Sequence, residues 1–253
     1  FKINNENSNI WLNKQIEDLK KLPNLTIKNR TSVAAFHAYN YLLARENLTD
    51  HLSLHERKNK IRQRLWKIRA KKVVIATGAI ERPLIFSNND RPGIILSSSI
   101  KKYIDYYGVK TGENVSLFTN NDSAYEAAIS LNKTGVKVKV IIDIRENPNS
   151  VLTEKIEKIG IKILKGYTVI DTDGYKRIKS FDVKKLSKDG ESVIGKKITY
   201  TCDCLGISGG WTPLVHLFTQ SGGKLKFRNS DNVFIPDENK IPSEQISVGS
   251  SNG

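Results

Sequence analysis

The run Val73-Val74-Ile75-Ala76-Thr77-Gly78-Ala79-Ile80-Glu81-Arg82-Pro83 is the tightest constraint on what this chain can fold into. An apolar stretch ends in Ala-Thr-Gly, and a charged Glu-Arg-Pro comes at once after it. A short run of this kind, bounded by turn formers, reads as a buried parallel strand. Thr-Gly at its carboxyl end permits a sharp turn and a close approach of backbone to a ligand. Ligands of open α/β sheets bind outside the carboxyl ends of the strands. A plain βα turn without a ligand has the same local pattern, so the flanking segments must decide.

Upstream, Ile10, Leu12, Ile16, Leu19 and Leu22 recur at helical spacing, and Pro23 closes that helix. Strand patterns succeed it at 25–28, 31–38 and 39–44, then a polar loop at 46–59 and an alternating strand at 62–70 anchored by Leu65, Trp66 and Ile68. This predicts a β-meander leading into the Val73 strand. Downstream, the turn formers of 88–93 precede a helix over 96–107 closed by Gly108. A βαβ unit comes next: a strand at 115–118, a helix at 122–133 capped by Gly135, and a strand at 136–142 ending beside Asp143. A helix at 151–158 and strands at 161–164, 168–170, 175–183 and 197–204 complete the segment. The plan is α/β: two nested Rossmann-like dinucleotide-binding domains, with 96–204 inserted in a first domain built from 1–95 and 205–253.

The chain has 253 residues, no methionine and only two cysteines. A disulfide framework is excluded, which suits a reducing cytoplasm. No apolar run is long enough for a membrane span and no signal-peptide pattern starts at Phe1. The formal charge of +15 raises a basic nucleic-acid binder, but the lysines read as dispersed in short clusters such as Lys20-Lys21 and Lys71-Lys72, without aromatic interleaving. The expectation is therefore no nucleic-acid partner. The absent Met and the Gly turn at 248–253 lead us to expect a piece of a longer chain.

The βαβ turn is where G-x-G-x-x-G belongs. It reads Thr119-Asn120-Asn121-Asp122-Ser123-Ala124-Tyr125, without glycine. Side chains there obstruct a pyrophosphate, and Asp122 adds negative charge at a helix N-terminus that would otherwise favour an anion. Asp122 is expected to be a cap and Asp143 a structural acid, so this second site is expected to have lost ordinary nucleotide binding. Cys202 and Cys204 share one face of the predicted 197–204 strand and read as buried apolar thiols. The four histidines form no metal-like spacing. Ser208-Gly209-Gly210-Trp211-Thr212-Pro213 reads as a crossing segment between domains, with Pro213 suited to a helix start. No catalytic residue and no metal ligand is expected.

Several strings together resemble one family. Glu46-x-x-x-Asp50-His51-Leu52, Arg64-Leu65-Trp66-Lys67-Ile68-Arg69-Ala70 and Ala76 to Pro83 are similar to the alpha subunit of heterotetrameric sarcosine oxidase. So are Asn89 to Gly93, the glycine-free Thr119 to Tyr125 turn, Ser208 to Trp211 through Phe218, and Gln220 to Leu225. The resemblance runs from about Trp11 to Gly253. It implies an FAD/NAD(P)-binding, disulfide-reductase-like module within an oxidoreductase that demethylates sarcosine with oxygen, giving glycine, hydrogen peroxide and 5,10-methylenetetrahydrofolate from tetrahydrofolate. It implies NAD in this chain, FAD in the beta subunit, FMN between alpha and beta, and gamma and delta subunits as further partners. By motif position, Val33 would lie near the adenine end of NAD, Ala76, Thr77 and Gly78 would line its cleft, and Gly249, Ser250 and Ser251 would be the late Gly motif. The family's first G-x-G-x-x-G would precede Phe1, leaving the first domain incomplete, and its folate domain would lie beyond Gly253. The alternatives are a subunit of a related amine or opine dehydrogenase and a non-catalytic scaffold.

Overall fold

A computed structural model describes residues 2–3, 6–241 and 244–253; Phe1, Asn4, Asn5, Pro242 and Ser243 lie outside them. The chain divides into two units, and the second interrupts the first. Residues 1–77 and 215–252 form one unit, and residues 78–214, with Gly253, form the other. These divisions fall outside the expected 95/96 and 204/205. The reason is strand pairing: residues 79–81 ladder with 211–213, and 94–96 ladder with 205–207, so both flanks pair within the second unit.

The first unit begins with a short hairpin, β1 (Lys2–Ile3) and β2 (Glu6–Asn7), and helix α1 (Ser8–Lys20), whose N-cap Asn7 accepts from the Asn9 amide at 3.0 Å. Helical spacing forms α1, yet none of its residues is buried, and Ile10 is 59% exposed. The predicted strand at 25–28 is irregular and unpaired. With no neighbour to take its backbone groups, its Leu and Ile content alone does not make a strand.

Strands β3 (Thr31–His37), β4 (Tyr41–Asn47) and β5 (Gln63–Arg69) form the antiparallel meander. The β3–β4 connection is the three-residue turn Ala38-Tyr39-Asn40, with Tyr39 and Asn40 both at positive φ, 58° and 53°. The turn therefore displaces the start of β4 from residue 39 to Tyr41. Asn40 is buried, and its side-chain amide donates to the Lys71 and Glu244 carbonyls at 3.1 and 3.0 Å. The chain then enters β6 (Val73–Ile75).

The second unit opens with β7 (Ala79–Glu81), β8 (Ile94–Leu96) and α2 (Ser97–Asp105). Then come β9 (Asn114–Thr119), α3 (Ser123–Lys133), β10 (Lys137–Asp143), α4 (Val151–Lys158) and β11 (Ile163–Lys165). An antiparallel trio is next, β12 (Tyr167–Asp173), β13 (Ser180–Leu186) and β14 (Val193–Thr201), and then β15 (Cys204–Ser208) and β16 (Trp211–Pro213). The central sheet is five-stranded and parallel, in the order β11-β10-β9-β15-β8.

Its two faces bury alternate residues, the period-2 consequence of the pleat. Val115, Leu117 and Ile141 pack with Ile100, Leu131 and Ile156 of α2, α3 and α4. Phe118, Val140, Ile142 and Ile207 pack with Val169, Phe181 and Val183 of the antiparallel trio. Each such apolar side chain contributes about 1.5–3 kcal/mol when fully buried. Gly206 is needed where α2 crosses the sheet: a Cβ there would sit 2.5 Å from Leu117 and 2.6 Å from Ile100 side-chain atoms.

Two expectations are corrected in this unit. Residue 175 lies in a turn, so β13 starts only at Ser180. The predicted strand at 197–204 is two strands broken at Cys202-Asp203. Cys202 packs with the antiparallel trio and Cys204 with the helices, so they do not share a face.

The chain returns to the first unit through α5 (His216–Gln220), the hairpin β17 (Leu225–Arg228) and β18 (Val233–Pro236), and β19 (Gln245–Ser247). Strand β19 pairs in parallel with β6, and Phe36, Leu42, Ile75 and Phe218 form the core of this unit. No helix among the described residues is long and apolar enough to cross a membrane.

Candidate functional site

In the first unit, β6 and β19 run parallel with Ile75 opposite Ser247, so their carboxyl ends open on the same side. Ala76 and Thr77 leave β6 exposed, and Gly249 and Ser250 leave β19 exposed. The Val248 amide donates to the Ile75 carbonyl at 2.9 Å, and the buried Ser251 hydroxyl lies 3.0 Å from that carbonyl and 2.8 Å from Val248 O. Ser251 thus ties the late turn to the end of β6. Gly249 has φ 64°, and a Cβ built on it meets no heavy atom within 4 Å, leaving open space beside the backbone. A cavity of about 280 Å³ borders the pair, touching Gln245, Ser247, Phe218 and Asn252.

The structure therefore brings Ala76, Thr77, Gly249, Ser250 and Ser251 to one strand end. Val33 lies on β3 beside a bulge, 40% exposed, on the strand whose Phe36 packs with Ile75. Gly78, with φ 77°, is the first residue of the second unit, and its carbonyl accepts from the Leu214 amide at 2.9 Å. An exposed strand end with backbone room at glycine suits a dinucleotide, whose phosphates need close main-chain approach.

The second unit presents the equivalent strand ends, β9 and β10, with Thr119 opposite Asp143. Here side chains close the turn. The Thr119 hydroxyl donates to Asn121 O at 2.8 Å, and the Asn121 amide donates back to it at 3.0 Å. The Asn121 side chain reaches Ser208 Oγ at 2.9 Å and accepts from the Ser123 amide at 3.0 Å. Asp143, fully buried, accepts from the Tyr125 hydroxyl at 2.6 Å and from Arg145 Nη2 at 2.8 Å and Nε at 3.1 Å. Arg145 Nη2 also donates to Asp122 at 2.7 Å.

The strand-end acid that would otherwise accept a ribose hydroxyl is thereby enclosed by a phenol and a guanidinium. Burial, reinforced by the Asp143 hydrogen bond, pushes the Tyr125 hydroxyl well above its ordinary range. The Asp143 hydrogen bonds hold Arg145 firmly charged. Asp122 does stand at the N-cap of α3, but its side chain makes no capping bond; it pairs with Arg145, a correction to its expected role. The charge-assisted contact within Arg145's reach is stronger than a neutral one to a helix amide.

Sequence reasoning passed over Tyr125 and Arg145. The available signal was Asp143-x-Arg145, an acid with a cation in reach of it two residues on. It also passed over residues 57–72, which carry nine Lys or Arg and no Asp or Glu. There Lys28 Nζ sits 4.1 Å from the Trp66 ring centre, and Trp66 Nε1 donates to Glu46 at 2.7 Å, so the basic residues are not confined to short clusters. Among the described residues no group of three His, Cys, Asp or Glu could hold a metal ion. Burial pushes the Cys202 thiol up to about 12, and Cys204 is raised by burial also.

No family model matches the chain. Solved structures with the same fold include L-proline dehydrogenase from P. horikoshii (23% identity, TM-score 0.65, 98% of this chain and 41% of that one). Thioredoxin reductase from T. acidophilum (18%, TM-score 0.62, 88% and 66%) and bacillithiol disulfide reductase from Staphylococcus aureus (16%, TM-score 0.64, 96% and 68%) are others. The fold is thus that of FAD/NAD(P)-dependent, disulfide-reductase-like oxidoreductases, with Rossmann-like domains. Sequence narrows the class. Sarcosine oxidase subunit alpha from Corynebacterium sp. (strain P-1) is 34% identical over 237 residues, 93% of this chain, and that from Rhizobium meliloti (strain 1021) is 32% identical over 208 residues, 82% of it. The chain is similar over most of its length to sarcosine oxidase alpha subunits, and it spans about a quarter of the length of these relatives, 24% and 20%.

Proposed function

We propose that this chain is the NAD-holding module of the alpha subunit of a multi-subunit sarcosine oxidase in the cytoplasm. The observation that carries the reading is the contrast between an open strand end at β6 and β19 and a closed one at β9 and β10, within a sequence related to sarcosine oxidase alpha subunits. Ala76, Thr77, Gly78, Gly249 and Ser250 would flank the dinucleotide, Ser251 would hold the turn in shape, and Val33 would lie toward the adenine. Residues 1–77 with 215–252 would make up this dinucleotide domain, and 78–214 a nested Rossmann-like partner.

NAD, when bound, supplies a hydride-accepting ring or a purely structural anchor. The chain's own residues position it: Gly249 leaves room for phosphate oxygens, and the Val248 amide and Ser251 hydroxyl fix the turn against Ile75. None of the site residues is an acid, base or nucleophile placed for amine oxidation. The resemblance to sarcosine oxidase alpha subunits implies that this step would fall to FAD in a beta subunit, with FMN between alpha and beta and gamma and delta completing the assembly. The overall reaction would oxidise sarcosine at its C–N bond, reduce oxygen to peroxide and pass the one-carbon unit to tetrahydrofolate.

The fold similarity to L-proline dehydrogenase favours a second reading, a related amine dehydrogenase subunit. Assembly of the full complex with its partner subunits tests both. Sarcosine-dependent peroxide is the expected result. Activity on another secondary amine, without peroxide from sarcosine, would move the assignment to the second reading.

A further inference from the structure

Glu81 closes β7 and is 5% exposed. One carboxyl oxygen, Oε2, accepts from the Ser98 amide at 2.8 Å at the start of α2, whereas Oε1 has no hydrogen-bond partner. A buried acceptor left unmet costs about 1–3 kcal/mol. Glu81 also borders a cavity of about 350 Å³, lined further by Ser98, Lys101, Lys102, Ser123 and Trp211, which lies within the range of small-molecule sites, about 300–1,000 Å³.

The wall is acidic on balance. Asp105 and Glu126 join Glu81, while Lys101 is already paired with both of them, at 3.2 and 3.8 Å. The indole of Trp211 is 43% exposed, and its Nε1 donates to Ser123 Oγ at 3.1 Å, which fixes the ring in the wall. A fixed aromatic face and an unmet acceptor form the pairing that recognises small organic cations. None of these residues belongs to the strand end assigned to NAD.

We propose that this cavity is a binding site for a small protonated amine, whose N–H group donates to Glu81 Oε1 and whose carbon body lies against Trp211. The experiment uses the assembled complex with fluorotryptophan incorporated, in which the Trp211 resonance is assigned by its loss in Trp211→Phe. Methylammonium should shift that resonance saturably, and tetramethylammonium, which has charge but no N–H, should shift it at least about tenfold more weakly. Glu81→Gln keeps an acceptor for Ser98 and should weaken methylammonium by about tenfold or more. Equal response to both cations, no saturable response to methylammonium, or unchanged affinity in Glu81→Gln would overturn the site. If the variant does not fold, the comparison of the two cations on the native chain still decides.

Discussion

The parallel pairs β6–β19 and β9–β10 offer the same backbone geometry at their carboxyl ends, yet opposite chemistry. The first exposes main chain and leaves space beside Gly249. The second fills the corresponding space with Asn121, Tyr125 and Arg145, the last two enclosing Asp143. The fold alone therefore does not make a nucleotide site; the residues just past the strand do. A glycine turn keeps the backbone within reach of a ligand, whereas a turn of Asn, Asp and Ser engages its own amides in local hydrogen bonds.

The largest test of the contrast removes the buried acid. Asp143→Ala leaves the Tyr125 hydroxyl and part of Arg145 without a partner and should destabilise the second unit by about 3 kcal/mol. Urea unfolding measures it, and a loss below about 1 kcal/mol would mean that the network is not holding the turn closed. Next in size is Gly249→Val. A branched side chain at positive φ is strained, and it occupies the space beside the backbone. Dinucleotide affinity should fall by at least about tenfold, read by titration of the assembled complex, and an unchanged affinity would place the dinucleotide elsewhere.

Tyr125→Phe should cost about 1 kcal/mol. Its pH dependence has a defined sign. The folded phenol titrates above its ordinary value of 10.0, because burial and then the Asp143 bond favour the protonated form. The native protein's advantage over the variant should be constant below pH 10.0 and shrink as pH rises beyond it. Equilibrium unfolding at a series of pH values reads this difference, and an advantage that grows with pH would contradict it.

The smallest effect concerns the thiols. With Cys202 raised to about 12 by burial, neither thiol should react with a disulfide reagent at mildly alkaline pH until the chain unfolds. Fast reaction in the folded state would contradict the separate packing of Cys202 and Cys204.

Much of the fold was legible because the βαβ unit obeys simple periodicity. The helices at Ser123–Lys133 and Val151–Lys158 and the strands around them can be read from apolar spacing and from Gly135. The misplaced elements depended on partners that no local window contains. Residues 25–28 lack a neighbouring strand, and 197–204 is divided because Cys202 and Cys204 enter different cores. At the sites, the missing glycines in 119–125 were readable directly. The ion pair that redirects Asp122 was not, because Arg145 reaches it from 23 positions away. Nor was the unmet oxygen of Glu81, which depends on how α2 meets β7.

The most direct test of the contrast is photolabelling of the assembled complex with an azido analogue of NAD, with peptide mapping of the labelled chain. Label in 73–78 and 245–251, with none in 119–145, is the expected result. Label concentrated in 119–145 would contradict it, since the side chains of Tyr125, Asp143 and Arg145 would then not be closing that strand end.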